Sequence, residues 1–258
     1  CGVGGPLHVK VASGTYSPMV VPTVPGASAH NYIQFEPLSG NLGNVVFTLN
    51  GTSGNTIIDL RSAHHIRLNK IAVNTTYADN VTYPVRMGIN STGCQLLNCS
   101  IIESVNPGLP TSVRASALIY SGGADSVVVD NCVLQRGAVA VSMVGPAPDN
   151  LAHGAIIRRN TLTNQGTNGI VVRNHVASIV DSNSLNNLLT SAGYLLMFQD
   201  CHEDMRVTRN TGYITSGASC LGVTEFFGTA TKPAVIANNM FVCNDDGTAD
   251  MLTTPMFI

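Results

Sequence analysis

The chain has 258 residues, of which 44% are apolar and only 11% charged, with a formal net charge of -2 and an isoelectric point near 6.4. That balance leaves no basic footprint for nucleic acid or anionic lipid, and the sequence contains no apolar run long enough to span a membrane. Low charge combined with abundant Val, Ile, Gly, Asn, Ser and Thr favours a long β architecture over a helical bundle.

In chain order, residues 7 to 60 read as less regular lead-in coils, and from residue 61 onward a spaced pattern takes over. Seven cysteines (Cys1, Cys94, Cys99, Cys132, Cys201, Cys220 and Cys243) occur without a C-x-x-C pair. Neither a zinc ribbon nor a dense disulfide framework is indicated, and the cysteines read as small buried hydrophobes.

The pattern is an apolar residue at minus three, Asn at zero and an apolar residue at plus two. It fits at Asn69, Asn131, Asn160, Asn183 and Asn239, imperfectly at Asn210, where Gly212 takes the plus-two place, and near Asn98, where Leu96 and Ile101 frame Cys99. Short apolar strands such as SVVV, AIIR and MRVT precede the marks. Second strands such as PVRMGI, SALIY, AVAVSMV, GIVV, GYLLMF and CLGVTEF follow them. Corners that stack at about 4.8 Å put each polar residue above its neighbour, so a recurring inward Asn forms a ladder along the stack. Helical backs and L-x-x-L-x-L spacing are absent, which argues against a leucine-rich horseshoe. The expectation is an all-β solenoid with an Asn ladder, one domain over residues 1–258 with lead-in coils at 1–60 and about seven coils at 61–258.

The stretch HVKVASGTYSPMVVPTVPGASAHNYIQFEPLSGN, followed by GTSGNTIIDLRSAHHIRLNKIAV, resembles the opening coils of right-handed parallel β-helix repeat regions in large secreted proteins of the Bacteroidota. The resemblance covers residues 1 to about 75 and implies a right-handed parallel β-helix and an export route, hence a secreted or cell-surface location. Relatives of this kind range from adhesins and filaments to polysaccharide lyases. They carry an amphipathic cap before CGVGGP, so the chain is expected to be a fragment of a larger one. The triplet Asp125, Ser126, Val127 is similar to the O-glycan acceptor pattern of that phylum.

Carbohydrate chemistry on such a fold needs carboxylates converging from adjacent coils. Counted from each Asn, Arg158 and Asp181 share one column and Asp130 and Arg159 the next, the arrangement of cross-strand ion pairs worth about 0.2–1 kcal/mol each. A histidine column is the sharper constellation. His175 and His202 fall at minus eight and His153 at minus seven, with Asp200 and Glu203 beside them. Stacked imidazoles next to acids can bind a transition metal or share protons, and they can equally form a solvated hydrogen-bond ladder. The acidic segment QDCHEDMR, residues 199 to 206, matches no metal-ligand spacing. In NDDGTAD, residues 244 to 250, Asp245, Asp246 and Asp250 offer alternating oxygens, a pattern calcium would take, although the closing Glu of a calcium loop is missing. No other cofactor is expected.

Two long insertions, residues 72 to 84 and 102 to 116, fall at the same corner of adjacent coils. Tyr77, Asn80 and Tyr83 are placed there to meet a glycan face and Arg114 an acidic sugar, since loops on a rigid scaffold are where recognition is built. The motif set of a polygalacturonase is absent. The leading expectation is a structural or adhesive module of a surface or filament protein that binds glycan or assembles with other chains. The alternative is a secreted polysaccharide lyase or glycoside hydrolase.

Overall fold

The computed structural model describes residues 2–49, 56–76, 83–104, 117–188, 193–214, 218–244, 249–252 and 256–257. Among them there is no helix, and the strands form three sheets in which each coil contributes one strand to each sheet in turn. Sheet 1 begins with Leu7–Val11 and Ile33–Pro37 and ends its parallel run at Val235–Ala237. Sheet 2 runs from Gly14–Tyr16 to Met240–Asn244, and sheet 3 from Met19–Val20 to Ser219–Phe227. Eight coils are complete. The last two strands, Ala249–Leu252 and Met256–Phe257, turn back and pair antiparallel with the ninth coil. This is the parallel β-helix that the repeat predicts.

Alternation along each strand builds the core. Leu96, Val129, Ile157, Val180 and Val207 stack inward from sheet 1, and Ile101, Leu134, Leu162 and Leu185 from sheet 2, all in register and fully buried. Gly212 continues the sheet 2 column. A Cβ there would lie 2.4 Å from the Leu195 side chain, so the missing methyl is the space that Leu195 fills. The imperfect plus-two position at Asn210 is thus a packing exchange between sheets.

The inner ladder occupies the corner between sheets 1 and 2. Asn160 Nδ2 donates to Asn183 Oδ1, Asn183 Nδ2 to Asn210 Oδ1, and Asn210 Nδ2 to Asn239 Oδ1, each at 2.9 Å. Each amide also donates to a carbonyl one coil back, Val129, Ile157, Val180 and Val207 in order. Each Oδ1 accepts the backbone N–H of the ladder residue before it. Below Asn160 the same position holds Cys132 and Cys99, whose Sγ atoms donate to the equivalent carbonyls of Leu96 and Leu68 at 3.5 and 3.4 Å. A thiol makes the same bond as the amide more weakly.

Two marks therefore sit in another frame than the sequence pattern expects. Asn131 precedes the ladder position by one residue and Asn69 by two. With Asn98 they form a second ladder outside the corner, Asn131 Nδ2 to Asn98 Oδ1 and Asn98 Nδ2 to Asn69 Oδ1, both at 2.8 Å. The residue just before the inner ladder takes a left-handed backbone in seven coils running: Lys70, Asn98, Asn131, Arg159, Ser182, Arg209 and Asn238, all at φ 54–56°. The shift also moves Asp130, which lies opposite Arg158 and in line with Asp181. Arg158 and Arg159 both reach Asp130, at 3.0 and 2.6 Å, and Arg209 reaches Asp181 at 2.6 Å. Burial would raise the Asp130 carboxyl, but the Arg159 and Arg158 guanidiniums outweigh it and hold it below the usual range.

Cys94, Cys99, Cys132 and Cys201 are buried free thiols. Burial pushes Cys94 up to about 11 and Cys201 up to about 12, which removes both as nucleophiles. Cys220, expected to be a buried hydrophobe as well, is disulfide-bonded.

Candidate functional site

The register divides the histidines. Val176 lies opposite both His153 and His202, while His175 lies in the neighbouring column, opposite Ala152 and Cys201. The expected column is therefore split across the two faces of a strand, because loop lengths between the ladder and sheet 3 differ from coil to coil. His175 points into the core, fully buried, with Nδ1 3.3 Å from Ser178 Oγ and no partner for Nε2. Burial pushes its imidazole down to about 4, against the opposing pull of Asp125. His153 is exposed, and its backbone N–H donates to Asp125 Oδ1 at 2.7 Å. His202 packs its ring 5.1 Å from Phe227. Glu203 pairs with Lys232 at 2.7 Å.

Asp200 has a different partner from those expected. Arg173 pairs with Gln199 and His175 with Cys201, and one coil further Gln199 pairs with Thr224 and Cys201 with Phe226. Asn174, Asp200 and Glu225 are thus successive residues of one column, and all three take positive φ, 53°, 50° and 52°. The neighbouring Asp200 carboxyl holds the Glu225 carboxyl above the usual range. Glu225 escaped the sequence reading because the step from Asp200 to Glu225 is counted in sheet 3, while the Asn marks count the ladder corner.

The outward face of sheet 3 collects the remaining groups. Arg86, Tyr120, Ser142, Val171, Met197 and Gly222 form one outward column. Gly88, Gly122, Val144, Arg173, Gln199 and Thr224 form the next. Tyr83 stacks on Tyr120 with ring centres 4.4 Å apart, and the Arg86 guanidinium lies 5.3 Å from the Tyr83 ring. Tyr194 lies over Gly222, where a Cβ would come within 2.7 Å of the ring. Only glycine there lets the ring lie flat on the sheet. Between these aromatics the floor is small or apolar: Gly122, Ser142, Val144 and Val171. Arg173 Nη2 is 3.6 Å from Met197 Sδ. The Nε atoms of Arg86 and Arg173 are buried and meet no acceptor among the described residues.

Of the glycan candidates, Tyr83 therefore belongs to this face, while Tyr77, Asn80 and Arg114 lie outside the described residues. So do Asp245 and Asp246 of the proposed calcium loop, and Asp250 is placed by its backbone only, opposite Cys243. Among the described residues no group of three or more His, Cys, Asp or Glu is arranged to hold a metal ion. Tyr120, Arg86 and Tyr194 were missed by sequence reasoning, since each stands alone in its strand and only the register joins them.

No protein-family profile and no curated protein matches the sequence. Among solved structures, the chain is similar to a GH136 lacto-N-biosidase from Eubacterium ramulus, with a TM-score of 0.64 and 10% identity, over 93% of this chain and 50% of that one. The chain thus spans half the length of that enzyme, and at that identity the likeness concerns the fold alone. An alginate lyase from Paenibacillus sp. str. FPU-7 aligns with a TM-score of 0.38 and 11% identity, over 86% of this chain and 91% of that one, too loose a superposition to add to it.

Proposed function

We propose that the chain is the glycan-engaging β-helix module of an exported surface protein, with the outward face of sheet 3 as its working surface. The observation that carries this reading is the set of groups on that face left over from structural work. These are the stacked Tyr83 and Tyr120, Tyr194 laid flat over Gly222, and two arginines whose buried Nε atoms meet no acceptor among the described residues. Flat aromatic rings beside hydrogen-bond donors are suited to the apolar faces and hydroxyls of sugars. The fold likeness to a lacto-N-biosidase is in keeping with that class, and the resemblance of the first 75 residues supports export. No cofactor enters the reading, and calcium at residues 244–250 would act only as a stabilising ion. Calorimetric titration against a panel of neutral and acidic polysaccharides tests it. Saturable binding that weakens in Tyr120→Ala is expected, and a folded protein that binds no member of the panel ends the reading.

A second reading, cleavage by a glycoside hydrolase or lyase, is favoured by the two carboxyl groups Asp200 and Glu225 at opposing positions of adjacent coils, with Glu225 held above the usual carboxylate range by its neighbour. Release of reducing ends or unsaturated product that stops in Glu225→Gln, with binding retained, would move the protein into that class.

A further inference from the structure

We infer that the ligand of the sheet 3 face is an anionic saccharide, held through carboxylate or sulfate groups by Arg86 and Arg173. The inference rests on the glycan reading above and names its chemical class. The argument is one of charges left over. Acids near this face have partners or neighbours of their own: Asp59 accepts from Arg61 Nε at Oδ1 (3.0 Å) and from Arg61 Nη2 at Oδ2 (2.6 Å), Glu203 pairs with Lys232, and Asp200 stands opposite Glu225. Arg86 lies opposite Asp59 in the same column and its charge helps to lower that carboxyl, while the hydrogen bonds of both Asp59 oxygens go to Arg61. Arg173 has Val144 on one side and Gln199 on the other, and its nearest polar contact is a thioether sulfur.

A guanidinium remains charged at any physiological pH and presents a planar fork that fits an oxyanion with two bonds. Packed against a ring and with part of its donor set desolvated, it discriminates strongly between a paired and an unpaired state. The strands bearing Arg86 and Arg173 are separated by two others, so the two charges stand roughly 14 Å apart along the solenoid axis. Tyr120 lies between them, next to Arg86. That spacing suits a short oligosaccharide lying along the axis, with one acidic group near each end and a sugar face on the tyrosine.

The test uses the whole chain and three probes: an oligouronate, the same oligomer after carboxyl reduction, and a sulfated neutral glycan, titrated calorimetrically at low and high salt. Oligouronate or sulfated glycan should bind, weaken with salt, and lose roughly tenfold or more in affinity in Arg173→Met, with thermal unfolding unchanged. The reduced oligomer should bind weakly and be indifferent to Arg173→Met. Preference among the two anionic probes identifies carboxylate or sulfate as the group held. Equal binding of the reduced oligomer, or an unchanged affinity in both Arg173→Met and Arg86→Met, overturns the anionic assignment while leaving the glycan reading in place. Failure of all three probes and of neutral polysaccharides overturns both.

Discussion

The corner between sheets 1 and 2 and the outward face of sheet 3 are built from the same repeat and treat polar groups in opposite ways. At the corner every ladder amide from Asn160 to Asn210 has both its nitrogen and its oxygen engaged, and the carboxylates outside it are clamped by arginines. On the sheet 3 face, the Nε atoms of two guanidiniums meet no acceptor among the described residues, and the Asp200 and Glu225 carboxyls stand opposite one another. A buried polar group is cheap when satisfied and costs about 1–3 kcal/mol when it is not. The first region therefore pays for cohesion, and the second holds interaction capacity that folding has not used.

That contrast can be broken most severely at the ladder. Asn183→Ala removes the bonds to the Ile157 carbonyl and the Asn210 amide oxygen, takes one of the two acceptors from the Asn160 amide and leaves the Asn160 backbone N–H without its side-chain acceptor, and should lower stability by about 3–5 kcal/mol in urea denaturation. A loss below about 1 kcal/mol would mean that the ladder follows the stack instead of fixing it. Next in size is the core histidine. The unfolded imidazole takes up a proton near 6.5 and the buried one only near about 4, so the unfolded state binds more protons in that window. Stability should be complete above pH 6.5 and fall by about 3 kcal/mol as pH drops to about 4. His175→Leu should flatten that slope between pH 6.5 and 4.5. Below it, Glu36 takes over. Held down to about 2 by Lys10 and His8, its carboxyl stabilises the fold above 4.5 and loses that contribution as pH falls further.

The same comparison sharpens at the sheet 3 face, where Tyr120→Ala should reduce glycan affinity roughly tenfold, about 1.4 kcal/mol, while moving the unfolding midpoint little. The smallest effect is expected outside the corner. Asn98→Ala removes two amide contacts of the half-exposed outer ladder and should cost about 0.5 kcal/mol or less. A larger loss would make the two ladders equivalent.

Much of the architecture was legible because a solenoid repeats its grammar. The apolar beats around Asn160, Asn183 and Asn239 gave coil length and ladder directly. The frame slipped at Asn131 and Asn69 because the first coils put thiols or Ile71 in the inward place and amides just outside, and a sequence template cannot distinguish an Asn that turns in from one that turns out. The site was far less legible. Its residues come from different coils, with spacings set by loops of unequal length, so His153, His175 and His202 looked aligned and are not, while Asp200 and Glu225 looked unrelated and lie opposite one another. Arg86 and Arg173 carry no motif, and only their buried Nε atoms, which meet no acceptor among the described residues, distinguish them.

The left-handed bend that precedes each inner ladder residue has a further consequence. Because seven such bends share one backbone angle, any two of them are interchangeable splice points, and the 23 residues separating Asn160 from Asn183 make up one transferable module. Duplicating a module between the two arginines would lengthen their separation by a single strand spacing, and deleting one would shorten it by the same step. The fold thus carries a ruler whose graduation is fixed by backbone geometry, and evolution or an engineer can reset the separation of the two guanidiniums without redesigning any contact.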